Sequence, residues 1–150
     1  MSGRLWVALI SAGGLVLGGL LSFRVQHATQ RSTQRTTLAE TRRGEQLTLL
    51  ERFIELGALA ERAAFDRPST EWAQDDPWAV TTQDVMNRLW VAERMIRIQF
   101  PLPVHDAARA YFLDLNRTVW QGLPEGESVR DYLEHNRLAF LDSARAAIDN

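Results

Sequence analysis

Asp131 and His135 stand four residues apart, one helical turn, so both side chains would share a face. They could hold a metal ion between them or form a hydrogen-bonded pair. A zinc site needs three or four such ligands, and no second histidine–acid pair at matching spacing accompanies this one. The other histidines are His27 and His105. Glu71, Asp75 and Asp76 cluster in the stretch that holds Trp72 and Trp78 and could hold a hard cation, but the alternation and glycine of a calcium loop are missing. The chain has no cysteine and no serine in a G-x-S-x-G elbow, so nucleophilic catalysis has no candidate. Asn116-Arg117-Thr118 spells a glycosylation acceptor, which has meaning only in an exported domain. These residues support no catalytic group, metal ligand or cofactor, and the chain is expected to have no enzymatic activity of its own.

One further stretch could do chemistry: "LISAGGLVLGG", residues 9–19, with four glycines. A Walker-type phosphate loop needs a lysine and a hydroxyl residue after its last glycine. Here Gly19 is followed by Leu20 and Leu21, and every basic residue of the chain is arginine. The run reads instead as part of a lipid-spanning helix. Leu5 to Phe23 is nineteen residues without a charge. As a helix it would extend about 28 Å, close to the thickness of bilayer hydrocarbon. The run closes on Phe23-Arg24-Val25, with no small-x-small cleavage site, so an uncleaved anchor over 5–23 is expected. Gly14, Gly18 and Ser22 fall at four-residue steps on one face, where small side chains let two helices approach closely in lipid. A homodimer through the anchor is the functional expectation from that face.

Arginine sets the orientation. Arg4 alone precedes the run, whereas Arg24, Arg31 and Arg35 follow it before the first acid, Glu40. Basic flanks stay cytoplasmic, which puts the C-terminal part on the cytoplasmic side of the cell membrane. Residues 24–37 then form a basic juxtamembrane stalk, with Arg24, Arg31 and Arg35 against anionic headgroups at about 1 kcal/mol each. Residues 40–150 carry thirteen arginines against nineteen acids, a balance that argues against nucleic acid as a partner.

The positioning elements follow from periodicity. From Leu38 the pattern is helical: Leu47, Leu50, Ile54 and Gly57 mark a stripe that Leu49, Phe53, Leu56, Ala60, Ala63 and Ala64 widen. Asp66-Arg67-Pro68 ends it, and residues 66–81 read as an irregular connection. Thr81 and Asp84 resemble a capping box for a second helix with Val85, Leu89, Ala92 and Ile96 inward. Glu93 and Arg97 read as an ordinary surface pair on that helix. "FPLP", residues 100–103, stops it and starts a third, with Val104, Ala108, Tyr111, Leu115 and Val119 inward. Gly122 and Pro124 close the third helix. Ser128 and Asp131 open a fourth, facing inward through Tyr132, Leu133, Phe140, Ala144, Ala147 and Ile148. No stretch alternates as a half-buried strand would. The expected fold is all-α: a transmembrane helix, a long helix and an antiparallel bundle over 38–150, about four helices beyond the anchor.

Trp90 and Trp120 sit at helical positions and read as core or half-core. Trp72 and Trp78 lie among acids and prolines. They are candidate anchors for a protein partner, since tryptophan is enriched in binding hot spots. The other reading is a loop that folds back and plugs the open end of the bundle.

The stretch "AGGLVLGGLL", the Arg/Gln-rich segment after it and "RLWVAERMIRIQFPLPVHDAARAYFLDL" resemble a loose group of small single-pass bacterial membrane proteins. That resemblance implies an anchored helical bundle and no particular activity. The layout is also similar to anchored periplasmic metal sensors, whose His- and acid-rich ligand sets this chain lacks. The expected function is a membrane-anchored interaction or scaffold module with the bilayer and an unidentified protein as partners. The alternative is a membrane-anchored sensor or regulator that binds a small ligand or ion.

Overall fold

The computed structural model describes residues 37–149. The expected anchor, with Gly14, Gly18 and Ser22, and the stalk arginines Arg24, Arg31 and Arg35 lie outside the described residues. Among the described residues no helix is long and apolar enough to cross a membrane. Chain contacts divide at residues 42 and 43, and the bundle belongs to the unit that begins at Arg43.

The described residues form four helices and no strand. α1 is helical from 37 to 65. α2 is Pro77–Gln99, α3 is Leu102–Gln121 and α4 is Val129–Asp149. The expected all-α bundle is therefore observed. α3 packs against both α2 and α4, and the short connections make each neighbouring pair antiparallel.

α2 starts earlier than the Thr81–Asp84 pattern predicts. The Asp76 carboxylate accepts the Trp78 backbone N–H at 2.8 Å, and Pro77 occupies the first turn, where a missing N–H has no consequence. At the other end Phe100 adopts an extended conformation. Pro101 follows it and disfavours the helical conformation there. α3 ends at Gly122, whose φ of +78° suits glycine. The Ser128 hydroxyl accepts the Asp131 N–H at 3.3 Å to open α4.

The inward stripes meet where the sequence places them. Val85, Leu89, Ala92 and Ile96 of α2, Val104, Ala108, Tyr111, Leu115 and Val119 of α3, and Leu133, Phe140 and Ala144 of α4 are all buried, while Tyr132, Ala147 and Ile148 of α4 are only half-buried against the core. From α1, Phe53, Leu56 and Ala60 complete the core. Phe53 is central to it. Its ring meets Phe140 edge-on at 4.8 Å between centroids and Tyr111 at 6.2 Å. Gly57, one turn on, leaves room for the Tyr111 ring: a Cβ would lie 3.1 Å from it, and the ring would have to shift to admit one.

Two expectations for the stripes fail for one reason. Leu47 and Ile54 remain 45% exposed, and Trp90 remains 47% exposed. A helix offers only part of its circumference to its neighbours, and these stripes are wider than the faces available to cover them. Truncating Phe53 to Ala should cost about 3–5 kcal/mol in a denaturant melt, because it removes the ring that three helices share.

Candidate functional site

Three constructions stand out from ordinary packing. The first is at the end of the bundle where α1 stops and α2 starts. The indole N–H of Trp78 donates to the Ala63 carbonyl of α1 at 3.0 Å. Arg67 donates to the Trp120 carbonyl at 3.3 Å, a cation on the C-terminal turn of α3. The first bond joins the start of α2 to α1, and the second ties the 66–76 connection back onto α3. Trp72 then meets Trp78 at 5.1 Å and Trp120 at 5.7 Å, and Trp78 meets Trp120 at 5.9 Å. Trp78 lies in the first turn of α2, not in the loop where the sequence places it, so Trp72 of the connection packs onto two helical tryptophans, and each of the three is only partly buried. Beside them lies an open cavity of about 600 Å³ lined by Trp72, Gln74, Ala79, Gln83 and Trp120.

The second construction is a groove between α1 and α4. Leu47, Leu50 and Ile54 form one wall, and Leu141, Ala144 and Ile148 the other, with Glu51, Glu55, Arg145 and Asp149 at the rim. Its volume is about 630 Å³. The exposed Leu47 and Ile54 are the residues that the core cannot cover.

The third is a set of buried polar ties. Glu93 is fully enclosed at 0% exposure and its Oε1 lies 2.7 Å from Nε2 of His105, itself 2% exposed. Arg94 and Arg109 each approach the carboxylate at 3.5 Å. Glu93 therefore does not form the surface pair with Arg97 that its spacing suggests. It occupies the Leu89–Ile96 stripe, one turn past Leu89, and that position was the signal available in the sequence. Glu93 Oε2 and His105 Nδ1 have no hydrogen-bond partner, and the pair is sealed from solvent. Its chemistry is confined to joining α2 to α3.

Further along α3, Tyr111 donates its hydroxyl to Glu61 of α1. Arg137 of α4 donates to both oxygens of the same carboxylate, at 2.9 and 3.0 Å. Burial, and then the Glu61 carboxylate, push the Tyr111 phenol well above its ordinary value of 10.0. The hydrogen bond to Glu61 raises the Arg137 guanidinium further. Spacing along the chain gives no hint of this triad, because its members come from three different helices.

Asp131 and His135 both lie at exposed positions of α4. Glu71 and Asp75 are exposed in the connection, and Asp76 is committed to capping α2. Among the described residues no group of three or more histidine or acid side chains converges to hold a metal. No family model matches the chain, and neither a curated protein nor a solved structure matches it.

Replacing Glu93 or His105 singly with Leu should cost about 3 kcal/mol, since either leaves a buried polar partner alone. The double replacement should cost clearly less than the sum of the two, measured as a double-mutant cycle by urea unfolding. Tyr111 gives a second prediction through its raised pKa. Folding favours the neutral phenol, so that stabilisation is complete below pH 10 and is lost as the pH climbs above it. Tyr111→Phe should flatten the alkaline fall in stability, as followed by circular dichroism across that range.

Proposed function

We propose that this protein is a membrane-anchored helical interaction module whose bundle seats an amphipathic helix of a partner protein in the α1–α4 groove. The observation that carries this reading is the groove itself. Six apolar side chains line it, and Leu47 and Ile54, two turns apart on α1, remain nearly half exposed. A helix presenting apolar residues at i, i+3 or i+4, and i+7 would bury them. Glu51 and Glu55 at the α1 rim favour a helix with a basic flank on that side. The charge-free run 5–23 supports an anchor, and the arginines after it support a cytoplasmic bundle at the membrane face.

The module acts by binding, with no chemistry of its own. Its bundle is held stiff by the Glu61 and Glu93 ties, so the groove keeps its shape between encounters. The anchor confines it to the bilayer surface, where a second partner bound to the same membrane meets it at raised effective concentration.

The variant Ile54→Asn with Leu141→Asn tests the groove. Both side chains are partly exposed, so the melting temperature of the full chain should stay within a few degrees. Retention of a basic amphipathic helical peptide by the full chain in vesicles should fall at least about tenfold, because both walls lose apolar contact. Equal retention by the parent and the variant would exclude the groove. Orientation is tested separately with C-terminal reporters. A reporter active only inside the cytoplasm should work, and one active only outside should stay silent.

A further inference from the structure

The tryptophan cavity at the end of the bundle is separate from the α1–α4 groove and has a different chemistry. We propose that it binds an arginine side chain carried on an extended basic segment of a partner protein. Trp72 and Trp120 supply indole surface to the cavity, and Gln74 and Gln83 supply amides. Gln83 donates its amide nitrogen to Asn87 at 2.8 Å, which leaves its oxygen as an acceptor.

The charge around the cavity decides between ligands that would stack on indole. Residues 66–84 hold five acids, Asp66, Glu71, Asp75, Asp76 and Asp84, against one base, Arg67. Arg67 turns one N–H to the Trp120 carbonyl, and its buried Nε has no partner. Asp66 and Asp84 pair with Arg62 and Arg88, at 3.8 and 3.6 Å, and Asp76 caps α2. Glu71 and Asp75 remain exposed, next in the chain to the lining residues Trp72 and Gln74. An anionic ligand would be repelled by this border. A neutral proline segment would stack on the rings and leave the carboxylates unanswered.

A guanidinium satisfies both features. It is planar, so it lies flat on an indole, and its N–H groups reach amide and carboxylate oxygens at its edge. The same pairing occurs within this chain, where Arg94 lies over the Trp90 ring at 5.2 Å. An ammonium would meet the charge and forgo the stacking, so arginine is preferred to lysine.

The test is a titration of the full chain in zwitterionic micelles with an oligoarginine peptide, read from the indole N–H signals by nuclear magnetic resonance. The Trp72 and Trp120 signals should move, and the Trp90 signal should stay. Affinity should fall about tenfold between about 20 and about 200 mM salt, as the Debye length contracts from about 20 to about 7 Å. Glu71→Gln with Asp75→Asn leaves every packed ring in place and should weaken binding about fivefold. An oligolysine peptide of equal length should bind more weakly. If oligoarginine leaves the Trp72 and Trp120 signals unmoved, the proposal is overturned. It is equally overturned if a neutral oligoproline peptide binds as tightly, or if the carboxylate variant binds unchanged. None of these results depends on the groove variant, so the two sites stand or fall separately.

Discussion

At Glu61 one carboxylate of α1 accepts the Tyr111 hydroxyl of α3 and the Arg137 guanidinium of α4. One turn earlier on α1, Gly57 lets the Tyr111 ring approach the helix backbone, and Phe53 fills the space between Tyr111 and Phe140. The register of three helices is fixed over these two turns. An apolar contact tolerates sliding, whereas a half-buried carboxylate with two charge-assisted or phenolic donors does not. The Glu93–His105 tie does the same for α2 against α3. Between them, the two carboxylates connect all four helices.

With the register fixed, the apolar surface left over is also fixed. α1 has a stripe broader than the three-helix face it meets, so Leu47 and Ile54 are left outside, where Leu141 and Ile148 of α4 join them. Arg67 ties the connection between α1 and α2 to the end of α3, Trp78 ties the start of α2 to α1, and these bonds bring Trp72 of the connection onto the helical Trp78 and Trp120 at the edge of the core. Groove and indole cluster thus arise in the same way. Both are places where the bundle's own helices end or turn away before covering the apolar area brought to them. Exposed apolar surface of this kind, bordered by charge, is the usual mark of an interaction site. Their borders differ, with mixed charge along the groove and an excess of acid around the indoles.

Helix number, helix order and most of the core were legible because a helix repeats every 3.6 residues and its buried positions repeat with it. Leu89 with Ile96, and Tyr111 with Leu115, announce their burial without reference to any other helix. The stop at Pro101 and the glycine at 122 are equally local, since each acts on its own backbone. The start of α2 was misplaced because Asp76-Pro77 and Thr81-Asp84 are both acceptable caps, and only Trp78 reaching back to Ala63 selects the earlier one.

What the sequence by itself determined is the all-α class, the inward face of each helix and the absence of a recognisable catalytic motif, since these follow from periodicity and residue type along one segment. The tertiary structure decided everything that depends on two segments meeting. It buried Glu93 against His105 and brought Glu61, Tyr111 and Arg137 together from positions dozens of residues apart. It left Ile54 outside the core and placed Trp72 on Trp120. The physical reason is that a helix defines its own amphipathic stripe, but the width of stripe that becomes buried is set by the neighbours that pack against it.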